Sequence, residues 1–135
     1  MLYGLHKTIG FCLLALVVLR IVWHLVSPPP LPIGAPGKLR LFVRAWHWLL
    51  YALMIATPVA GWAGSSASGL DTVIFGSLTL PPLVEASEDA EIVWFILHEI
   101  FAKTLVGMAL VHMLAALKRE MDGDGTLTRM IRGRV

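Results

Sequence analysis

Three stretches of this chain, Ile9 to Val26, Ala45 to Ala63 and Ile92 to Leu117, are mostly apolar and close to or above the roughly 20 residues that a helix needs to cross a bilayer. Of the residues, 57% are hydrophobic and only 15% charged, and the mean hydropathy is +0.76, which is too apolar for a soluble domain of 135 residues. The expected fold class is an all-α membrane protein with three transmembrane helices. They are placed at about 4–27, 39–63 and 91–119 of a single membrane domain, with a loop over 64–90 and a tail over 120–135.

The first apolar run is too long for the core of a cleavable signal peptide, and no small-residue cleavage site follows it, so the first helix is expected to stay. Cys12 is the one cysteine, which excludes an internal disulfide and the C-x-x-C-H pattern of covalent haem attachment. Charge sets the expected orientation. No Lys or Arg occurs between Ala45 and Ala102, whereas Asp71, Glu85, Glu88, Asp89 and Glu91 all fall between the second and third spans. The basic residues Lys38, Arg40 and Arg44 lie in the first connection, and Lys118, Arg119, Arg129, Arg132 and Arg134 lie in or near the tail. The positive-inside rule then places the first connection and the C-terminus in the cytoplasm, and the N-terminus and the acidic loop outside. An N-terminus translocated with no helix to lead it points to a further helix upstream.

The first connection, "SPPPLPIGAPGK", reads as a stiff extended connector, because Pro28, Pro29, Pro30 and Pro32 remove backbone donors. Within the loop, "TVIFGSLTLPPL" is apolar enough to lie on the outer mouth of the bundle and cap a cofactor. The "DGDG" stretch lacks the later Glu of a calcium loop and reads as a turn, after which "TLTRMIRGR" is expected to lie at the inner surface. No nucleic-acid partner is expected.

Five histidines interrupt this apolar sequence. His98 and His112 are fourteen residues apart. On an α-helix that is about 1400° of rotation, some 40° short of four turns, and about 21 Å of rise. They therefore share one face at two depths. His6 lies at the depth of His98, and His47 is closer to that of His112. Arg20 is fourteen residues after His6, on the same face and at the level of His112. An ionisable group inside a membrane needs a partner, and a neutral imidazole facing the bundle interior is a good ligand for haem iron. A haem propionate would answer Arg20, since no acidic side chain occupies that half of the membrane. Gly10, one turn from His6, leaves room for a flat macrocycle. His24, beside Trp23, reads as an interfacial anchor. Lys103 is about 140° off the histidine face, to be met by snorkelling, by Glu99 or by a helix not in this chain.

Two other classes of function compete. A histidine-based metal or proton transporter would need about four ligands within bonding reach for zinc, whereas these histidines divide between two depths. A cofactor-poor remnant or assembly partner would leave the same residues without a task.

The stretches "LHKTIGFCLLALVVLR" (His6, Gly10, Arg20), "AWHWLLYALMIATPVAG" (His47, Pro58, Gly61), "LHEIFAKTLVGMALVH" (His98, Glu99, Ala102, His112) and "GTLTRMIRGR" resemble the bacterial cytochrome b561 family, relatives of the cytochrome b subunits of hydrogenases and formate dehydrogenases. The resemblance covers essentially the whole chain. It implies helices two to four of a four-helix bundle that holds two b-type haems in the bacterial inner membrane. It further implies His6 and His98 as axial ligands of the outer haem, and His112 as one ligand of the inner haem. The other inner ligand would lie on a first helix not present in this sequence. One haem is expected, or two if a separate helix, a second copy or His47 completes the inner site; His47 is left out of the ligand set. The resemblance implies single-electron transfer to ubiquinone from an outer-face donor or a partner dehydrogenase, with superoxide:quinone oxidoreductase activity in some members.

Overall fold

The computed structural model describes residues 2–27 and 37–123, together with 125 and 128. The proline-rich connector and the basic tail segment lie outside the described residues. Three helices form, α1 (Leu2–Val26), α2 (Lys38–Ala67) and α3 (Glu88–Met121), and all three are long and apolar enough to cross a membrane. In hydrocarbon every backbone N–H and C=O must be bonded within the protein, and a helix does this within one segment. Pro58 lies inside α2, where it removes one amide donor.

α2 is the central element. It packs along α3 and more briefly against α1, whereas no Cα of α1 comes within 8 Å of one in α3. The sequence of α2 explains its tight side. Ala60, Ala63, Gly64 and Ala67 are buried, and a Cβ on Gly64 would sit 3.0 Å from the Phe95 ring of α3. Small residues let helix backbones approach where lipid offers no hydrophobic drive between them. Away from this seam the surface is greasy, with Leu16, Leu19 and Leu114 all about two-thirds exposed, as suits side chains that face lipid.

The segment between the second and third spans is built rather than structureless. α2 runs on to Ala67, and a small antiparallel hairpin follows, β1 (Thr72–Ile74) paired with β2 (Leu78–Leu80) in the register Val73 to Thr79. Phe75 and Gly76 turn the hairpin with φ of 52° and 72°, a left-handed conformation that Gly76 adopts without strain. The hairpin is tied to α1 by Phe75 N–H donating to Thr8 Oγ1 at 3.0 Å. The rest of the loop is tied to α2, where Trp62 Nε1 donates to the Pro81 carbonyl (3.1 Å) and Leu83 N–H donates to Ser66 Oγ (3.1 Å).

Ser87 starts α3. Its hydroxyl accepts from Ala90 N–H at 3.4 Å, its own N–H donates to the Ala67 carbonyl at 2.9 Å, and Glu88, Asp89 and Glu91 place negative charge on the first turn. Ser87→Ala is expected to destabilise the protein by about 1 kcal/mol, while Ser87→Asn keeps most of the stability. Thermal unfolding of both variants in detergent checks this.

Candidate cofactor site

The gap between α1 and α3 is bridged by two rings. His6, early in α1, and His98, in α3, face each other with ring centroids 5.9 Å apart and planes at 90°. They border a cavity of about 420 Å³, within the range of about 300–1,000 Å³ usual for small-molecule sites. Its walls are mainly apolar, and include Phe11, Pro58, Trp62 and Phe95. Gly10 lines it from α1, where a Cβ would come to 4.0 Å from Pro58 Cβ on the opposite wall.

His98 is held from behind. Its Nδ1 lies 2.8 Å from the Thr57 carbonyl of α2. A carbonyl only accepts, so Nδ1 carries the proton and Nε2 keeps its lone pair for the cavity. Gly61 makes this possible, because a Cβ there would sit 2.9 Å from His98 Nδ1 and 3.0 Å from Cε1. Neither Thr57 nor the role of Gly61 was evident from the histidine pattern. The available signal was the run of small residues Ala60, Gly61, Ala63 and Gly64 in an apolar helix.

At the other end of the bundle His47 and His112 meet, with ring centroids 5.0 Å apart and planes at 84°. His47 Nδ1 is bonded to the Val43 carbonyl one turn earlier in α2, at 2.7 Å. His24 stacks edge-on against Trp48 at 5.9 Å. Lys103 pairs with Glu99 on the exposed face of α3. Arg20 is exposed on α1, does not line the cavity, and has no partner among the described residues. The histidines thus meet in pairs, and among the described residues no three His, Cys, Asp or Glu side chains converge as a zinc site would need.

The sequence pattern of prokaryotic cytochrome b561 matches residues 1–133. The chain belongs to the prokaryotic cytochrome b561 family. It is 36% identical to cytochrome b561 homolog 2 of Escherichia coli (strain K12) over 130 residues, which is 94% of this chain and 69% of that one. It is 30% identical to the probable superoxide oxidase CybB of Yersinia pestis over 129 residues, 94% of this chain and 73% of that one. As a cytochrome b561 it is a bacterial membrane protein, surrounded by lipid, that binds b-type haem and takes part in electron transfer.

The hairpin-side pair fits that group. A metal ion shared by two imidazole nitrogens, about 2 Å from each and about 1 Å further to each ring centre, would need the rings about 6 Å apart. His6 and His98 are at 5.9 Å, one ring oriented by a backbone carbonyl as metal-binding imidazoles usually are. The His47–His112 pair, at 5.0 Å, is about 1 Å too close for the same arrangement.

Proposed function

We propose that this cytochrome b561 carries single electrons between a donor at its hairpin face and the quinone pool, using a haem clamped by His6 and His98. The observation that carries this reading is the 5.9 Å separation of those two rings across the space between α1 and α3. A haem iron held by two imidazoles has no open position for oxygen and exchanges one electron at a time. The residues of the chain supply the rest. Thr57 and Gly61 hold His98 in one tautomer and one place, the glycine at position 10 leaves room on α1, and Phe11, Trp62 and Phe95 keep the cavity apolar.

The orientation proposed from charge puts the hairpin and this pair on the outer side and the His47–His112 pair on the inner side. We assign one haem to the pairing of His6 with His98. His112 serves a second haem when its opposing imidazole comes from His47 moved back by about 1 Å, or from a helix or second copy beyond these residues. In that case we assign Arg20 to a propionate of that second haem.

Ubiquinone is the proposed acceptor, taking two electrons with two protons. Superoxide is the first donor to test, two anions each giving up one electron to become dioxygen, because the Yersinia pestis relative is named a probable superoxide oxidase. The acidic residues Asp71, Glu85, Glu88, Asp89 and Glu91 around the loop oppose the approach of an anion and favour instead a partner dehydrogenase as donor.

The purified protein in detergent is expected to show the sharp reduced bands of six-coordinate b haem, bleached on adding ubiquinone. A preparation with no haem defeats the proposal, and one whose reduced bands persist with ubiquinone rules out that acceptor. Superoxide generated in the same cuvette separates the two donors, since it re-reduces the haem only if the smaller one is used.

A further inference from the structure

The cavity between α1 and α3 is lined mainly by apolar residues besides His6, His98, Tyr3 and Thr57, and at its hairpin end three further polar side chains from three elements collect: Lys7 of α1, Ser65 of α2 and Thr72 of β1. Lys7 Nζ donates to Ser65 Oγ at 2.7 Å and to the Asp71 backbone carbonyl at 3.1 Å, and lies 4.5 Å from the centre of the Tyr3 ring. Those are two neutral oxygens and an aromatic face. The Asp71 carboxylate attracts this ammonium from beyond ion-pair distance, and no carboxylate among the described residues stands within it. Ser65 is 1% exposed; its hydroxyl accepts from Lys7, and as a donor it reaches the Leu70 carbonyl at a long 3.5 Å. Thr72 is 4% exposed, and its Oγ1 is buried with no hydrogen-bond partner among the described residues. A buried hydroxyl is rarely left this way, because it has given up water and received nothing in exchange. Two donors that lack a charged or any acceptor, an ammonium and an orphaned hydroxyl, thus line the same end of one cavity.

Such a set suits a carboxylate. It offers one cation and hydroxyl donors to an anion with two oxygens, in an apolar surround where charge-assisted hydrogen bonds are strong. A haem clamped by His6 and His98 carries its carboxylates at the edge of an otherwise apolar ring. We infer that Lys7, Thr72 and Ser65 form the seat of one propionate of that haem, turning the propionate edge toward the hairpin. This inference rests on the clamp by His6 and His98. Lys7 and Thr72 donate to the carboxylate, and Ser65 holds the ammonium in place. The hairpin acquires a role from this, since β1 brings Thr72 to a lysine 65 residues earlier in the chain.

The test compares haem b with its dimethyl ester, whose carboxylates are blocked, in the full-length wild-type protein and in Lys7→Met and Thr72→Val. The readout is the rate of loss to excess apomyoglobin. In the wild type the ester is expected to leave about tenfold faster than haem, as befits the loss of a hydrogen bond to a charged group. Lys7→Met should release haem about as fast as the wild type releases the ester, and the ester should leave this variant no faster than haem does. Its haem midpoint potential should also fall, because a cation near the iron favours the reduced state. Thr72→Val, which keeps shape and charge, should show the same change on a smaller scale. Equal release of haem and ester from the wild type overturns the seat, and so does a Lys7→Met effect that is as large for the ester as for haem. A wild-type protein without a six-coordinate spectrum overturns the clamp and the seat together.

Discussion

His98→Ala is expected to yield a protein that lacks the hairpin-side haem, with haem per chain reduced by one, while His47→Ala retains it. His98 is the better anchored of the two imidazoles in the clamp, with its Nδ1 on the Thr57 carbonyl and its ring against Gly61. His6 faces it across the cavity, and the other α3 residues that line this space, Phe95 and Leu105, offer no side-chain ligand atom to take over. Loss of an outer hydrogen-bond partner alone typically costs about 10- to 100-fold in metal affinity, and loss of the ligand itself costs more. His47 lies against His112 at the opposite end and touches neither residue of the clamp. Haem extracted and counted for each variant, with the reduced spectrum, checks the assignment. Partial recovery of the six-coordinate bands in His98→Ala on adding free imidazole would show that the loss is of a ligand and not of the fold. Equal haem loss in the two variants would mean that the clamp is wrongly assigned.

The second large effect is expected at Gly61. An alanine Cβ there would lie 2.9 Å from His98 Nδ1, a distance that can be relieved only by moving the imidazole off α2. That movement also pulls Nδ1 away from the Thr57 carbonyl, freeing both the tautomer and the ring orientation. Gly61→Ala should therefore weaken haem retention by about 10- to 100-fold. Gly64→Ala provides the contrast. Its Cβ meets the Phe95 ring at 3.0 Å, one turn nearer the hairpin, so it should cost about 1–3 kcal/mol of stability through overpacking and shift that cavity wall, while both imidazoles stay in place and the six-coordinate bands persist. Thermal midpoints and haem-release rates measured on both variants separate the two effects. If Gly61→Ala loses stability and keeps its haem, the glycine serves packing alone.

Much of the vertical arrangement was legible in the residues. Fourteen positions between His98 and His112 dictate one helix face and two depths whatever the neighbours do, because rise and twist per residue are constants of the helix. The same reckoning placed His6 level with His98 and His47 near His112, and the structure brings those residues together as rings at 5.9 and 5.0 Å. Arg20 was less well served. Its depth follows from its position, yet within the described residues it is exposed and lies outside the cavity. For Lys103 the candidates were snorkelling, Glu99 or a helix not in this chain, and the structure pairs it with Glu99. The polar end of the cavity was not legible at all, because Lys7, Ser65 and Thr72 lie far apart in sequence and meet only when the hairpin folds back onto α1.

The sequence by itself determined three helices long and apolar enough to span a bilayer and the spacing of the histidines along them, since a helix of fixed rise reduces that part of the problem to one dimension. Which faces turn toward each other was decided by the tertiary structure. Helices bathed in lipid are apolar all round, so no stripe of hydrophobicity marks the inward side. Small residues of α2 draw α3 close and leave α1 apart from it, and that lateral choice opens the space that His6 and His98 face.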